Sequence, residues 1–152
     1  QVEQIIRDCR AARCAGLFPH ITIMFGYPWE SYEDALNTLR LGQWLLKKGM
    51  AYTMQATVVI PYPGTPLFKE CREKDWLRTS DWDDYDMKQP VMRTPFPSDK
   101  LMQLVQGMYK VSFHPEFMAR RLFSVRDRQD LAYYGRAAKK VFGHIFDFGK
   151  TR

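Results

Sequence analysis

Two apolar runs, each stopped by a rigid turn, constrain this chain more than any other feature. The first is ITIMFGYPWES (21–31) and the second is ATVVIPYPGTPLF (56–68). Between them an amphipathic segment opens at Ser31, which with Asp34 resembles a helix capping pair, and it runs to about Lys48 before Gly49 ends it. Its apolar stripe is Ala35, Leu36, Leu39, Leu45 and Leu46. A crossover of about 18 residues is long enough to bring a second strand back parallel to the first. The spacing therefore predicts strands over 21–25 and 54–60, side by side in an α/β layer. Both strands read as continuous rather than alternating apolar runs, which predicts a sheet covered on both faces.

A helix is expected before the first strand, because Val2, Ile5, Ile6, Cys9 and Ala12 recur at helical spacing and Gly16 follows where a C-terminal glycine belongs. After the second strand, Pro66 suits the first turn of a short helix to about Lys74. The stretch from Asp75 to Ser98 mixes aromatics, acids and prolines and reads as an ordered loop with a brief extended piece near Val91. Ser98 is expected to cap a helix with Leu101, Leu104, Val105, Met108 and Val111 on one side. Pro115 disfavours helix at His114 and interrupts it, a second piece reaches about Leu122, and a last helix is expected over 128–145. Three segments follow: 1–78 with the strands, 79–97 as an aromatic and acidic loop, and 98–152 as a mostly helical extension. The chain opens at Gln1 already inside an amphipathic pattern and reads as a piece of a longer protein.

The formal charge is +6, and it is uneven. Acids gather between Glu70 and Asp86, whereas Arg120, Arg121, Arg126, Arg128, Arg136, Lys139, Lys140, Lys150 and Arg152 dominate the end of the chain. Such asymmetry fits either a solvated helix face or a surface for nucleic acid or an anionic partner. No stretch approaches the roughly 20 apolar residues of a membrane span. Three cysteines without a pairing framework point to a reducing cytoplasm. Cys9, Cys14 and Cys71 follow no ligand spacing, so no metal site is expected from them. His20, His114 and His144 have no carboxylate or thiol at ligand spacing either, and no nucleophile, Walker or dinucleotide motif is present.

Chemistry, if the chain carries any, belongs at the two turns. Gly26 permits positive φ or close approach of a ligand, Pro28 stiffens the turn, and Glu30 sits beside a helix N-terminus that favours a carboxylate. Pro61 and Pro63 remove backbone donors, which ends pairing and leaves carbonyls to accept from elsewhere. Ligands of parallel α/β sheets bind outside the carboxyl ends of the strands, where both turns lie. The alternative at each turn is a purely structural elbow with no ligand.

At these turns the sequence resembles a known family. IMFGYPWES looks like the G-x-P-x-E-[ST] segment of radical S-adenosylmethionine (SAM) enzymes, specifically the group with a cobalamin-binding domain, in which PYPGT follows the next strand. LFKECREKDWL, the Trp-rich acidic loop and Tyr109 with Phe113-His114-Pro115 are similar to that group as well, so the resemblance covers about residues 1–120. It implies the C-terminal part of a partial TIM-like (β/α)6 barrel, with the last two strands here followed by a helical extension. It also implies an enzyme that cleaves SAM to a 5′-deoxyadenosyl radical at a [4Fe–4S] cluster, for cobalamin-linked methyl transfer or for oxidative cyclisation of the magnesium-protoporphyrin ester cyclase type. The cluster-binding C-x-x-x-C-x-x-C loop is missing from this chain, which alone is then inactive, binds no cluster and carries no catalytic residue.

By the same resemblance, Met24, Gly26, Glu30, Val59, Ile60 and Pro61 form part of the cofactor pocket. Met24 lies on adenine, Glu30 supports the loop, and Tyr62, Gly64 and Thr65 shape the turn toward a small-molecule substrate. The implied partners are the missing N-terminal part of the same protein and, for the isolated chain, a second copy through an exposed barrel edge. The competing expectation is a basic interaction module that binds nucleic acid or an anionic surface through its C-terminal helices.

Overall fold

The computed structural model describes residues 1–87, 89–123 and 135–136. The helix expected over 128–145 thus lies, apart from Gly135 and Arg136, outside the described residues, as do most of the C-terminal bases. The chain runs as α1 (Val2–Cys14), β1 (His20–Phe25), α2 (Tyr32–Lys47), β2 (Thr53–Val58), α3 (Pro66–Glu73), α4 (Ser98–Lys110) and α5 (Pro115–Phe123), with short 3₁₀ turns at Trp82–Asp84 and Val111–Phe113. β1 and β2 pair in parallel, from His20 opposite Thr53 to Phe25 opposite Val58.

Local chemistry explains where the helices stop. Gly16 and Gly49 lie at φ +79° and +70°. At the first, Leu17 N–H donates to Ala12 O and Gly16 N–H to Arg13 O; at the second, Met50 N–H donates to Leu45 O and Gly49 N–H to Leu46 O. Each set is a Schellman closure of a helix C-terminus. α3 closes in the same manner on Asp75, a non-glycine residue at φ +52°, with Trp76 N–H donating to Cys71 O at 2.8 Å. Ser31 caps α2 by accepting from Asp34 N–H at 3.1 Å. Ser98 does not cap α4. It is the first helical residue, and its hydroxyl instead accepts from Arg78 Nη1 at 2.5 Å. The extended piece near Val91 forms as an antiparallel bridge between Leu77 and Met92.

Among the described residues the sheet is covered on one face only, which departs from the expectation of two covered faces. Ile21, Ile23 and Phe25 of β1 and Met54, Ala56 and Val58 of β2 face α2 and α4 and join one core with Leu39, Leu45, Leu101, Leu104 and Met108. Thr22, Met24 and Gln55 alternate outward. The continuous run was misleading because Thr22 and Met24 are compatible with an open face and the two helices stack on the same side. Strand β2 also ends at Val58, two residues short of Ile60. Val59 N–H makes one further bond to Phe25 O at 2.9 Å, after which the Val59 side chain turns into a second cluster with Cys71, Val91 and Met92.

Gly42 sets how closely α2 lies on the sheet. A Cβ there would stand 2.4 Å from Ile23 Cδ1, 2.8 Å from Met108 Cε and 3.1 Å from Met54 Sδ. Gln43 Nε2, one residue on, donates to Gly107 O at 2.9 Å and ties α2 to α4. An exposed helical glycine would gain about 1 kcal/mol from alanine. Here overpacking, at about 1–3 kcal/mol, opposes that gain and grows with side-chain size. Gly42→Val is expected to lower unfolding free energy by about 2–3 kcal/mol in urea melts, with Gly42→Ala intermediate. Wild-type stability in both variants would show that the close crossing carries no energetic weight.

Candidate functional site at the carboxyl ends of the strands

The parallel register brings the two shaped turns together. Gly26 directly follows Phe25, Phe25 is opposite Val58, and the bond from Val59 to Phe25 O closes the last rung before Pro61. Both turns therefore leave the same end of the sheet.

The first turn is fixed by its own backbone. Gly26 sits at φ +95°, a region that disfavours other residues. Its N–H donates to Glu30 Oε2 at 2.7 Å, and Glu30 N–H donates to Tyr27 O at 3.0 Å. The space a side chain at Gly26 would occupy is filled by Leu101 Cδ2, 2.9 Å from the ideal Cβ position. Close approach at Gly26 is thus made by α4. Glu30 is half-buried, and burial pushes its carboxyl above the ordinary value, with the Gly26 and Tyr27 amides pulling it down and Asp34 adding to the rise.

The second turn is built by Thr65. Its hydroxyl donates to Tyr62 O at 2.6 Å and accepts from Phe68 N–H at 3.2 Å, so one side chain closes the turn and caps α3. Gly64 lies at φ +84° with open space where a Cβ would stand, so only its backbone conformation calls for glycine. Val59 and Pro61 are buried and Ile60 is half-buried against the second cluster. Their side chains are committed to packing. Among the described residues no hydrogen bond reaches the carbonyls of Ile60 and Pro61. Met24, by contrast, is 48% exposed on the open face, and Tyr62 is 45% exposed at the rim.

The expected residues thus assemble at one end of the sheet with unequal availability: Met24 and Tyr62 are presented, while Gly26 and Glu30 hold the frame. A feature the sequence reading missed is the aromatic series at the same end. Tyr27 and Trp29 stack with centroids 5.3 Å apart, Trp29 meets Trp76 at 6.1 Å, and Lys74 Nζ lies 4.5 Å over the Trp76 ring. The signal was available in the W of GYPWES and the W of KDWL, but only the fold brings them into contact. Cys71, beneath, is fully buried and reaches Met92 Sδ at 3.4 Å; burial, then the Glu70 charge, pushes its thiol up, which suits packing rather than nucleophilic work. Cys9 and Cys14 lie on α1, and among the described residues no three His, Cys, Asp or Glu side chains gather as a metal site. An open groove of about 790 Å³ follows α3 past Gly64, Phe68, Lys69 and Arg72. No helix among the described residues is long and apolar enough to cross a membrane.

Glu30 makes the stability of this turn pH-dependent with a definite sign. Because its folded-state pKa is raised, the folded form holds the proton more tightly. The stabilising contribution is full below the ordinary value of 4.5 and is lost as pH rises through the raised value. Glu30→Gln keeps an oxygen for Gly26 N–H and cannot ionise. Melts of both proteins from acid to neutral pH are expected to show the variant gaining on the wild type as pH rises, then levelling. A stability difference that stays flat over that range would remove the carboxylate from the account.

No family model matches the chain. Among curated proteins it is 28% identical over 124 residues to an uncharacterized methyltransferase of Pyrococcus horikoshii, covering 80% of this chain and 26% of that protein. It is 26% identical over 125 residues to the bacteriochlorophyllide d C-8(2)-methyltransferase of Chlorobaculum tepidum, covering 81% of this chain and 26% of that protein. The chain therefore spans about a quarter of the length of the curated relatives it matches, and the similarity is a weak homology to methyltransferases.

Proposed function

We propose that the chain is the C-terminal part of the catalytic barrel of a radical SAM methyltransferase, of the group that also binds cobalamin. The observation that carries the reading is the parallel register that leaves the Gly26 and Pro61 turns side by side at the carboxyl ends of the strands. The open sheet face supports it: a strand pair with helices on one side and Thr22, Met24 and Gln55 on the other has the layering of a barrel wall, helices outside and these residues toward the lumen. The weak homology to proteins named methyltransferases agrees with the chemistry.

The residues of this chain fit the nucleoside of SAM in part. Met24 offers an exposed, polarizable contact for an adenine face, and the carbonyls of Ile60 and Pro61 offer acceptors for its amino group. Val59 and Pro61 contribute through backbone position alone, since their side chains are packed away. The same residues do not fit an iron–sulfur cluster: Cys71 is buried, and no metal-holding group exists among the described residues. SAM supplies the methyl group or, on reductive cleavage, a radical initiator. The role of this chain is to bind and orient the nucleoside and to form one wall of the substrate mouth. Glu30 acts as a positioning residue that keeps the Gly26 turn in shape. Tyr62, Gly64 and Thr65 shape the substrate side, with Tyr62 presented and Thr65 locking the turn. Thr22 and Thr57 on the lumen side keep that wall polar.

Met24→Glu in the full reading frame is expected to weaken SAM binding at least about tenfold in equilibrium dialysis, equivalent to roughly 1.4 kcal/mol, with the melting temperature unchanged because the side chain is exposed. Unchanged SAM affinity would remove Met24 from the pocket. The isolated chain, with the outer edges of a two-stranded sheet unpaired among its described residues, is expected to self-associate. Sedimentation as a monomer at every concentration would count against that edge as an interface.

A further inference from the structure

Trp29 stays exposed although two aromatic rings pack against it. One face of its indole lies on Tyr27 at an interplanar angle of 29°, its second neighbour Trp76 is tilted by 56°, and the residue still exposes 58% of its surface. An isolated exposed apolar side chain is ordinary, whereas a rigid one beside others at the mouth of a sheet marks a contact surface. Met24 and Tyr62 leave the same end of the sheet, both exposed.

The turn holds Trp29 still. Pro28 fixes the preceding backbone, Gly26 N–H is bound to Glu30 at 2.7 Å, and Ser31 begins the capped helix at 3.1 Å from Asp34 N. A ligand that stacks here pays little to order the indole. Charge does not compete for this spot. Lys74 is bound to Glu70 at 2.6 Å and covers Trp76, and Arg93 is bound to Asp75 at 2.9 Å. With Lys74 and Arg93 paired, what Trp29 offers is exposed indole surface beside the Tyr27–Trp29 stack.

We infer that Trp29 seats a planar, conjugated ring of the substrate by offset stacking on its outer face. The inference deepens the proposed function and rests on it, since it takes the strand ends as the catalytic mouth. A flat ring gains stacking energy beyond its buried area, about 0.5–1.5 kcal/mol for aromatic pairs, whereas a flexible aliphatic substrate gains area alone and loses chain entropy. Trp29 is thereby a specificity-determining residue for ring planarity. It takes no part in bond making.

The test uses the full reading frame and two probes of matched carbon skeleton and carboxylates: coproporphyrin III, which is flat, and its reduced porphyrinogen, which is puckered. The wild type is expected to bind the flat probe about two- to tenfold more tightly, read from the absorbance of the porphyrin and, under reducing conditions, by dialysis of the porphyrinogen. Trp29→Ala is expected to lose about two- to tenfold for the flat probe alone, Trp29→Phe to recover most of it, and Trp44→Phe on α2 to change nothing. SAM affinity should be unchanged in Trp29→Ala. Equal binding of the two probes, or a Trp29→Ala variant that binds as the wild type does, overturns the inference. So does self-association that Trp29→Ala abolishes, which would assign the indole to a second copy. If ring binding fails while Met24→Glu still weakens SAM binding, only this inference falls. If the flat probe binds through Trp29 and SAM does not bind at all, the radical SAM reading falls instead.

Discussion

The close parallel pairing of β1 and β2 beneath α2 and α4 is the constraint on which the rest depends. Gly42 lets α2 settle until Ile23, Met54 and Met108 meet at its backbone, and Gln43 fastens it to α4 at Gly107. This contact fixes which strand face is buried. Because side chains alternate along a strand, burying Ile23 and Phe25 puts Met24 on the other side without further instruction. The candidate site is therefore a by-product of how the core is packed.

The strand ends divide their labour between frame and surface. Gly26, Glu30 and Thr65 spend their hydrogen-bonding capacity on holding two turns, and Val59, Pro61 and Cys71 spend their surface on a second small core. What remains for a ligand is small: Met24, Tyr62, Trp29 and a few carbonyls. Under the proposed function, such groups would bind by shape and apolar contact, with polar groups used for orientation. Glu30 is the one carboxylate with a raised pKa among these turns, and its partner is a backbone amide rather than a catalytic side chain.

The charge pattern has a quieter meaning in the folded chain. Lys48 and Arg120 both pair with Glu116 at 3.5 Å, which ties α5 to the closing turn of α2, and Arg120 Nη1 stands 3.5 Å from where a Cβ on Gly49 would lie. Lys48 and Arg120 thus serve helix docking. Exposed pairs of this type contribute little each, so their effect is to orient α5 rather than to stabilise the fold.

Much of this was legible in the sequence by itself. Periodicity, the Ser31 cap, Pro66 and the closing glycines located the elements, since each depends on neighbours within a few residues. The two turns were recognisable because proline and glycine restrict backbone angles wherever they stand. Tertiary structure alone decided what depends on distant partners. It turned Ser98 toward Arg78, filled the space over Gly26 with Leu101 and, among the described residues, left one sheet face open where a continuous apolar run implied two covered faces. It also joined Trp29 to Trp76 across 46 intervening residues, a contact no local rule could supply because it exists only once two parallel strands deliver their loops to the same end.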